Sequence, residues 1–306
     1  MIIERMASEL AIPKGFIASL ARGASHEYKE YPIPKRTGGT RIICHPSRRL
    51  KALQRWLQAN VIAELPLHQS AAAYRKGRSI LDNANVHTAS RYLLRMDFAN
   101  FFPSITRMDI KKYITERPNL FVLWTVEDIS VFCDLVCRDG VLTIGAPSSP
   151  GLSNAVCYDM DVQISTICSR SQTNYTRYAD DLFFSTGKAN VLQHIERQVI
   201  QVVSELGLPA NLAINPAKTR HSSKRGARRV TGIVLSSDGR SCIGRKLKRR
   251  IRALIHRYEK LDGPARASLA GLIAFAIGLD PAFMNRLIDK YGLRRVRAAM
   301  MHTDSP

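Results

Sequence analysis

Two adjacent aspartates, Asp180 and Asp181, interrupt the stretch "NYTRYADDLFFS" (174–185), whose Tyr175, Tyr178, Leu182, Phe183 and Phe184 favour a pleated, half-buried strand. Like charges side by side repel, and burying them without partners is costly. Divalent cations remove the objection, because Mg²⁺ takes carboxylate oxygens and shares its shell with substrate phosphates. A third carboxylate at the end of a neighbouring strand would complete such a site. Asp97 is placed for that part in "RYLLRMDFANFFPSI" (91–105). Two ions about 3.5–4 Å apart stabilise both the attacking and the leaving oxygen of an in-line phosphoryl displacement. On this reading Asp97 and Asp180 hold both ions, and Asp181 contributes charge less directly. The competing account is an ordinary turn with a strand-end cap, since Asp is common in turns. The four letters "YADD" do not decide between them; their spacing to other features does.

The elements that must carry these residues are readable in outline. "YKEYPIPKRTGGTRIICHPS" (28–47) reads as two short strands around Gly38-Gly39. "RRLKALQRWLQANVIAEL" (48–65) has helical spacing, and 91–105 is a strand ending at Asp97. "PSSPGLSNAVCYDMDVQISTIC" (147–168) predicts one helix with Ser149 as N-cap and Pro150 at its first position. "NVLQHIERQVIQVVSELG" (190–207) is a strongly amphipathic helix ended by Gly207. "NLAINPAKT" and "RRVTGIVLSS" predict further short strands. "RKLKRRIRALIHRYEKL" (245–261) buries Leu247, Ile251, Leu254, Ile255 and Tyr258 and leaves seven cations around the rest of its circumference. Strands with helices packed on one side, then a basic helical appendix, give an α+β core and a helical lobe.

Bulk composition points the same way. The chain of 306 residues carries 46 Lys and Arg against 25 Asp and Glu, a formal charge of +21. Such self-repulsion is relieved by a polyanion, and nucleic acid is the natural one. The six cysteines form no CxxC pair and no zinc spacing, so reduced thiols are expected. Glu4 and Arg5 break the first apolar run, unlike a secretory leader, and "LAGLIAFAIGL" (269–279) is too short to span a bilayer. A cytoplasmic location without membrane partners is the expectation.

"YADD" at 178–181, preceded by "MDFANFF" (96–102) and "IGAPSSP" (144–150), resembles the ordered core of a reverse transcriptase. "KRTGGTRIICHP" (35–46) is similar to the fingers hairpin of that superfamily, and "INPAKT" (214–219) to its lysine-bearing motif. "NANVH" (83–87) and "VTG" (230–232) resemble the NAxxH and VTG signatures of bacterial retron reverse transcriptases. Any one motif is weak, but seven in order are specific. The resemblance implies a right-hand polymerase of fingers, palm and thumb, with an antiparallel palm sheet and a helical basic thumb. The expected segments are an N-terminal helical part (1–30), fingers (31–92), palm (93–232, with a helical insertion at 105–143) and thumb (233–306).

It also implies RNA-templated DNA synthesis on a cognate structured noncoding RNA, primed from a guanosine 2′-hydroxyl, so that the product is a branched RNA–DNA molecule. Further expected partners are dNTPs and a separate effector protein of an anti-phage defence module. The expected cofactor is two Mg²⁺ ions, with Mn²⁺ as a substitute. Asp97, Asp180 and Asp181 would be catalytic and metal-binding, and Lys218 would hold or protonate the leaving pyrophosphate. Phe98, Phe102, Gly145, Lys35 and Arg41 would bind nucleotide, with Phe102 as the gate against a 2′-hydroxyl and Gly145 allowing close backbone approach. Ile144 stands where the family usually has Gln, and Thr143 where it has Pro. Asn83, His87, Val230, Thr231 and Gly232 would bind RNA or, for Asn83 and His87, organise the fingers. Arg245, Lys246, Arg249 and Arg250 would neutralise RNA phosphates. Two alternatives stand beside the retron enzyme: another bacterial reverse transcriptase, of group II intron maturase or abortive-infection type, and a catalytically inactive RNA-binding scaffold.

Overall fold

The computed structural model describes residues 2–34 and 38–301. The chain opens with helices α1 (Ile2–Leu10) and α2 (Lys14–Arg22), the hairpin β1 (Tyr28–Pro34) and β2 (Thr40–Pro46), and helix α3 (Arg48–Asn60). Next come α4 (Ile80–Asn85), β3 (Tyr92–Asp97), α5 (Arg107–Thr115) and α6 (Val126–Val136). Helices α7 (Ser149–Val156) and α8 (Tyr158–Arg170) lead into the hairpin β4 (Asn174–Tyr178) and β5 (Asp181–Thr186), then α9 (Val191–Ser204). Short strands β6 (Arg220–Ser223), β7 (Arg228–Val230), β8 (Ile233–Leu235) and β9 (Ser241–Cys242) follow. Four helices close the chain: α10 (Arg245–His256), α11 (Gly263–Leu279), α12 (Ala282–Tyr291) and α13 (Leu293–Met300).

Two compact units result. The first holds the chain up to Arg78 with Leu94–Ser185 and Ala189–Arg220; the second holds Ser79–Leu93, Thr186–Lys188 and the chain from His221 onward. The expected 31–92 segment is therefore divided at Arg78, and the retron-like "NANVH" falls in the same unit as the C-terminal helices.

In the first unit, helix starts are written in the sequence. Thr106 with Asp109 and Thr125 with Asp128 form capping boxes, and Ser47 accepts from the Leu50 N–H. Asp128 also accepts from the Ile2 N–H at 3.0 Å, which ties α1 to the start of α6. The hairpin β4–β5 is antiparallel, with Tyr178 opposite Asp181, and β5 neighbours β3. Leu182, Phe183 and Phe184 are all buried, so β5 is covered on both faces, and Leu94 and Met96 bury one face of β3. Helix α8 packs on β4 and α9.

Two expectations need correction here. The predicted helix over 147–168 is broken at Cys157, and its N-cap is Ser148, so that Ser149 begins the helix. "NLAINPAKT" forms no strand beyond a single bridge from Ile214 to Phe98. Pro216 lacks the N–H a ladder needs, and 216–218 turn as a 3₁₀ segment.

In the second unit, α4 packs on the small sheet β7–β8–β9. Val230 pairs with Ile233, so Thr231 and Gly232 form a two-residue hairpin turn, with φ of 46° and 86°. Both left-handed angles match the twist of such hairpins. Helices α10–α13 share a core of Ile251, Ile255, Leu269, Ile273, Phe283, Leu287 and Val296. Among the described residues no helix is long and apolar enough to cross a membrane.

Candidate active site

Backbone hydrogen bonds bring three distant segments together. The Phe98 N–H donates to the Asp180 carbonyl at 3.0 Å, and the Asn215 N–H donates to the Asp97 carbonyl at 2.7 Å. The end of β3 is thereby fixed to the β4–β5 turn on one side and to the segment preceding Lys218 on the other. Lys218 Nζ reaches Asp97 Oδ1 at 2.6 Å. Burial, and next the Asp97 carboxylate, raise the pKa of Asp180, while Lys218 and Arg41 pull it down. Asp97 and Asp180 thus share one electrostatic field.

Asp181 is engaged differently. Arg95 lies two residues before Asp97, hence on the same face of β3. It donates to Asp181 Oδ1 from Nη2 at 2.8 Å and Nε at 3.1 Å. Burial outweighs that guanidinium and lifts the Asp181 carboxyl to about 6. Among the described residues no three His, Cys, Asp or Glu side chains already stand as a metal cage. The Lys218 ammonium and the Arg95 guanidinium instead neutralise the carboxylates. The oxygen-only donors of Asp97 and Asp180 fit hard divalent cations, with Asp181 as an outlying charge.

A buried network supports the turn, and sequence reasoning missed it. Arg177 and Asp161 are both fully buried. Arg177 Nη2 donates to Asp161 Oδ2 at 2.6 Å, and its Nε to Oδ1 at 2.9 Å. Tyr175 Oη donates to the same Oδ1 at 2.7 Å. Arg177 Nη1 reaches Asn154 Oδ1 at 3.2 Å and the Ala179 carbonyl at 3.4 Å. Ala179 carries a φ of 56°, so this guanidinium holds the residue that bends the chain before Asp180. The available signal was an arginine inside an apolar strand, which must find a counter-charge if buried.

Of the residues expected to bind nucleotide, Phe102 has a partly exposed ring, while Phe101 is buried beneath it at 5.3 Å between centroids. Phe98, expected to contact nucleotide, is 1% exposed and stacks on Phe101. Its ring is core, and it serves the site through its N–H. Arg41 is exposed on β2 and close enough to act on Asp180. Lys35 lies outside the described residues. Gly145 also needs a new reading: a Cβ there would stand 2.6 Å from the Cys44 carbonyl oxygen. The Cys44 N–H donates to the Ile144 carbonyl at 2.8 Å, so the close approach is to strand β2.

In the second unit Asn83, His87 and Val230 are enclosed, at 1%, 0% and 0% exposure. Their side chains present no surface to RNA, and burial lowers the His87 imidazole to about 3. Thr231 is partly exposed and Gly232 exposed, and Thr231 Oγ1 donates to the Ile80 carbonyl at 3.4 Å. The two signatures therefore meet, α4 against the hairpin that ends in the Thr231-Gly232 turn. Arg245, Lys246, Arg249 and Arg250 all lie on the exposed face of α10. Lys248 is drawn inward to Asp280 at 2.8 Å.

Residues 33–235 match the family described as reverse transcriptase (RNA-dependent DNA polymerase). The retron Ec83 reverse transcriptase of Escherichia coli is 37% identical over 302 residues, covering 96% of each chain. The retron Mx162 reverse transcriptase of Myxococcus xanthus is 34% identical over 85% of this chain and 59% of its own length. Telomerase from Candida albicans, solved with a TWJ fragment of telomeric RNA, superposes with a TM-score of 0.51 at 10% identity. That match covers 92% of this chain and 59% of the telomerase, and it shows the fold alone: a right-hand polymerase. The chain belongs to the reverse transcriptase family. Within it the chain stands with the bacterial retron enzymes, as an RNA-directed DNA polymerase.

Proposed function

We propose that this polymerase copies a structured noncoding RNA encoded with it, starting from a guanosine 2′-hydroxyl and leaving a branched RNA–DNA product. The observation that carries the reading is the joining of Asp97, the "YADD" turn and Lys218 through the Phe98–Asp180 and Asn215–Asp97 backbone bonds. Divalent cations, Mg²⁺ or Mn²⁺ in its place, would supply Lewis acidity between Asp97 and Asp180 for attack on the α-phosphate of a dNTP. Lys218 would leave Asp97 for the pyrophosphate and hold or protonate it. Arg41 would reach the triphosphate, Lys35 being its expected companion on the same hairpin, and the Phe102 ring would lie under the sugar. Arg95 would keep Asp181 fixed beside the pair.

The exposed α10 cations would take RNA phosphates, with binding that weakens steeply as salt rises. The Thr231-Gly232 turn would read the cognate RNA by shape, and Asn83, His87 and Val230 would organise the support under it. A separate effector protein, an anti-phage role and a cytoplasmic setting complete the reading, in keeping with six free cysteines.

The test is primer-free extension on the RNA encoded beside the gene, with wild type and Asp180→Asn. DNA attached to the RNA in the wild type alone supports the reading. Replacing the priming nucleotide by its 2′-deoxy form should abolish the product. Undiminished synthesis from that RNA would overturn the branched route and leave the polymerase.

A further inference from the structure

Tyr74 lies on a loop tied down by several hydrogen bonds. Arg75 Nη1 donates to the carbonyls of His68, Gln69 and Ala71 at 3.3–3.4 Å. The Ala72 N–H donates to the Arg177 carbonyl and the Arg177 N–H to the Ser70 carbonyl, both at 2.7 Å. Asn154 Nδ2 donates to the Ala73 carbonyl at 2.9 Å. The loop is therefore laid along β4, beside the strand that carries the aspartate turn.

At its end the backbone of Tyr74 takes a φ of 60°. For a bulky aromatic residue the left-handed region is costly, and Gly or Asn would occupy it more cheaply. Core packing does not compel it, because Tyr74 is 49% exposed. The ring faces Phe102, with centroids 6.5 Å apart and planes at 47°. Partial burial, and after it the Asp180 carboxylate and Tyr178, raise the phenol's pKa, while Arg41 opposes them. The side chain thus faces the Phe102 ring and lies within electrostatic reach of Asp180 and Arg41. Strain held at an exposed residue in such a place is the pattern of a working position.

We propose that Tyr74 is a specificity-determining residue, its ring forming with Phe102 a two-walled aromatic slot for the sugar of the incoming deoxynucleotide. The inference rests on the polymerase reading above. Rejection of one hydroxyl by a single ring is limited if that ring can swing aside. A second ring on a braced loop confines both the sugar and the gate.

The experiment measures kcat and KM for dGTP and GTP in single-nucleotide incorporation by wild type, Tyr74→Ala, Tyr74→Gly and Tyr74→Phe. Tyr74→Ala and Tyr74→Gly should each raise the dGTP KM and lower the dGTP-over-GTP preference, by about tenfold. Tyr74→Phe, which keeps the ring, should retain the preference. Tyr74→Gly should melt at or above Tyr74→Ala, since glycine relieves the backbone. Lost turnover with KM and preference unchanged would mark a structural loop residue and overturn the proposal, as would wild-type values throughout. If the wild type makes no DNA, the polymerase reading fails separately. Titration of Mg²⁺–dGTP onto wild type and Tyr74→Ala then decides, weaker binding to the variant supporting the slot and equal binding overturning it.

Discussion

Lys218 Nζ rests 2.6 Å from Asp97 Oδ1, a half-exposed ammonium on a carboxylate only 4% exposed. On the proposed mechanism the contact joins a carboxylate that would hold cations to an ammonium that would hold or protonate the leaving pyrophosphate. Removing the ammonium would free Asp97 and, on that mechanism, strip the leaving group of its partner. Lys218→Met should slow single-turnover extension by about 10²-fold. Primer–template affinity, read by filter binding, should stay within about twofold. A rate equal to wild type would remove Lys218 from the chemistry.

Phe102 projects where Phe98 and Phe101 turn inward, so one ring of the three is available to a sugar. Phe102→Ala should incorporate ribonucleotides, with the preference for dNTP falling at least about tenfold. Extension in mixtures of dNTP and rNTP reads the ratio directly, and an unchanged ratio would dismiss the gate.

Arg177 and Asp161 are a fully buried pair, and breaking one side leaves an uncompensated charge. Arg177→Met alone should destabilise the first unit by about 3–5 kcal/mol in urea unfolding. Adding Asp161→Leu should recover most of that stability, since a buried pair is often replaceable by apolar residues. Extension activity should not return with it, because the Ala179 carbonyl has lost its donor. Recovery of both together would mean that the network serves only stability.

His87 titrates far below an ordinary imidazole, near 3, because it is enclosed. Between the unfolded value of about 6.5 and 3, the unfolded chain binds a proton that the folded chain refuses. Its contribution is therefore complete above pH 6.5 and is lost as the pH falls, by about 1.4 kcal/mol per unit. His87→Leu should flatten the acid limb of stability by that slope in urea unfolding from pH 7 to 4. Parallel curves for wild type and variant would show that the imidazole is not the sensor.

The chemistry was the most legible part of the sequence, because carboxylates in an apolar strand demand a partner. The order of "MDFANFF", "IGAPSSP", "YADD" and "INPAKT" by itself implies that Asp97, the turn and Lys218 share one fold. Capping was less legible: the start at Ser149 was read one residue late, since the cap is Ser148, and the Thr106-Asp109 and Thr125-Asp128 boxes, which act within one turn, went unread. What stayed hidden was long-range. Nothing local to Arg177 says that Asp161, 16 residues earlier on a helix, answers its charge. Nothing local to Gly145 says that the surface it must clear is the Cys44 carbonyl. Three phenylalanines in one motif look alike until packing assigns two to the core. Pro216 was the exception, a visible reason against a strand that the surrounding apolar letters outweighed.

The seam between Gly145 and β2 has a wider meaning for how this enzyme tolerates change. A Cβ at 145 would collide with a main-chain oxygen, and the φ of 116° is itself barred to L side chains. No neighbouring substitution can open that space, since the obstacle is peptide backbone rather than a removable side chain. At Ile144 the carbonyl accepts from the Cys44 N–H, a main-chain contact that does not depend on which side chain stands there. Adjacent letters of one motif thus meet β2 in different ways, Ile144 through a carbonyl that any residue carries and Gly145 through space that only glycine leaves open.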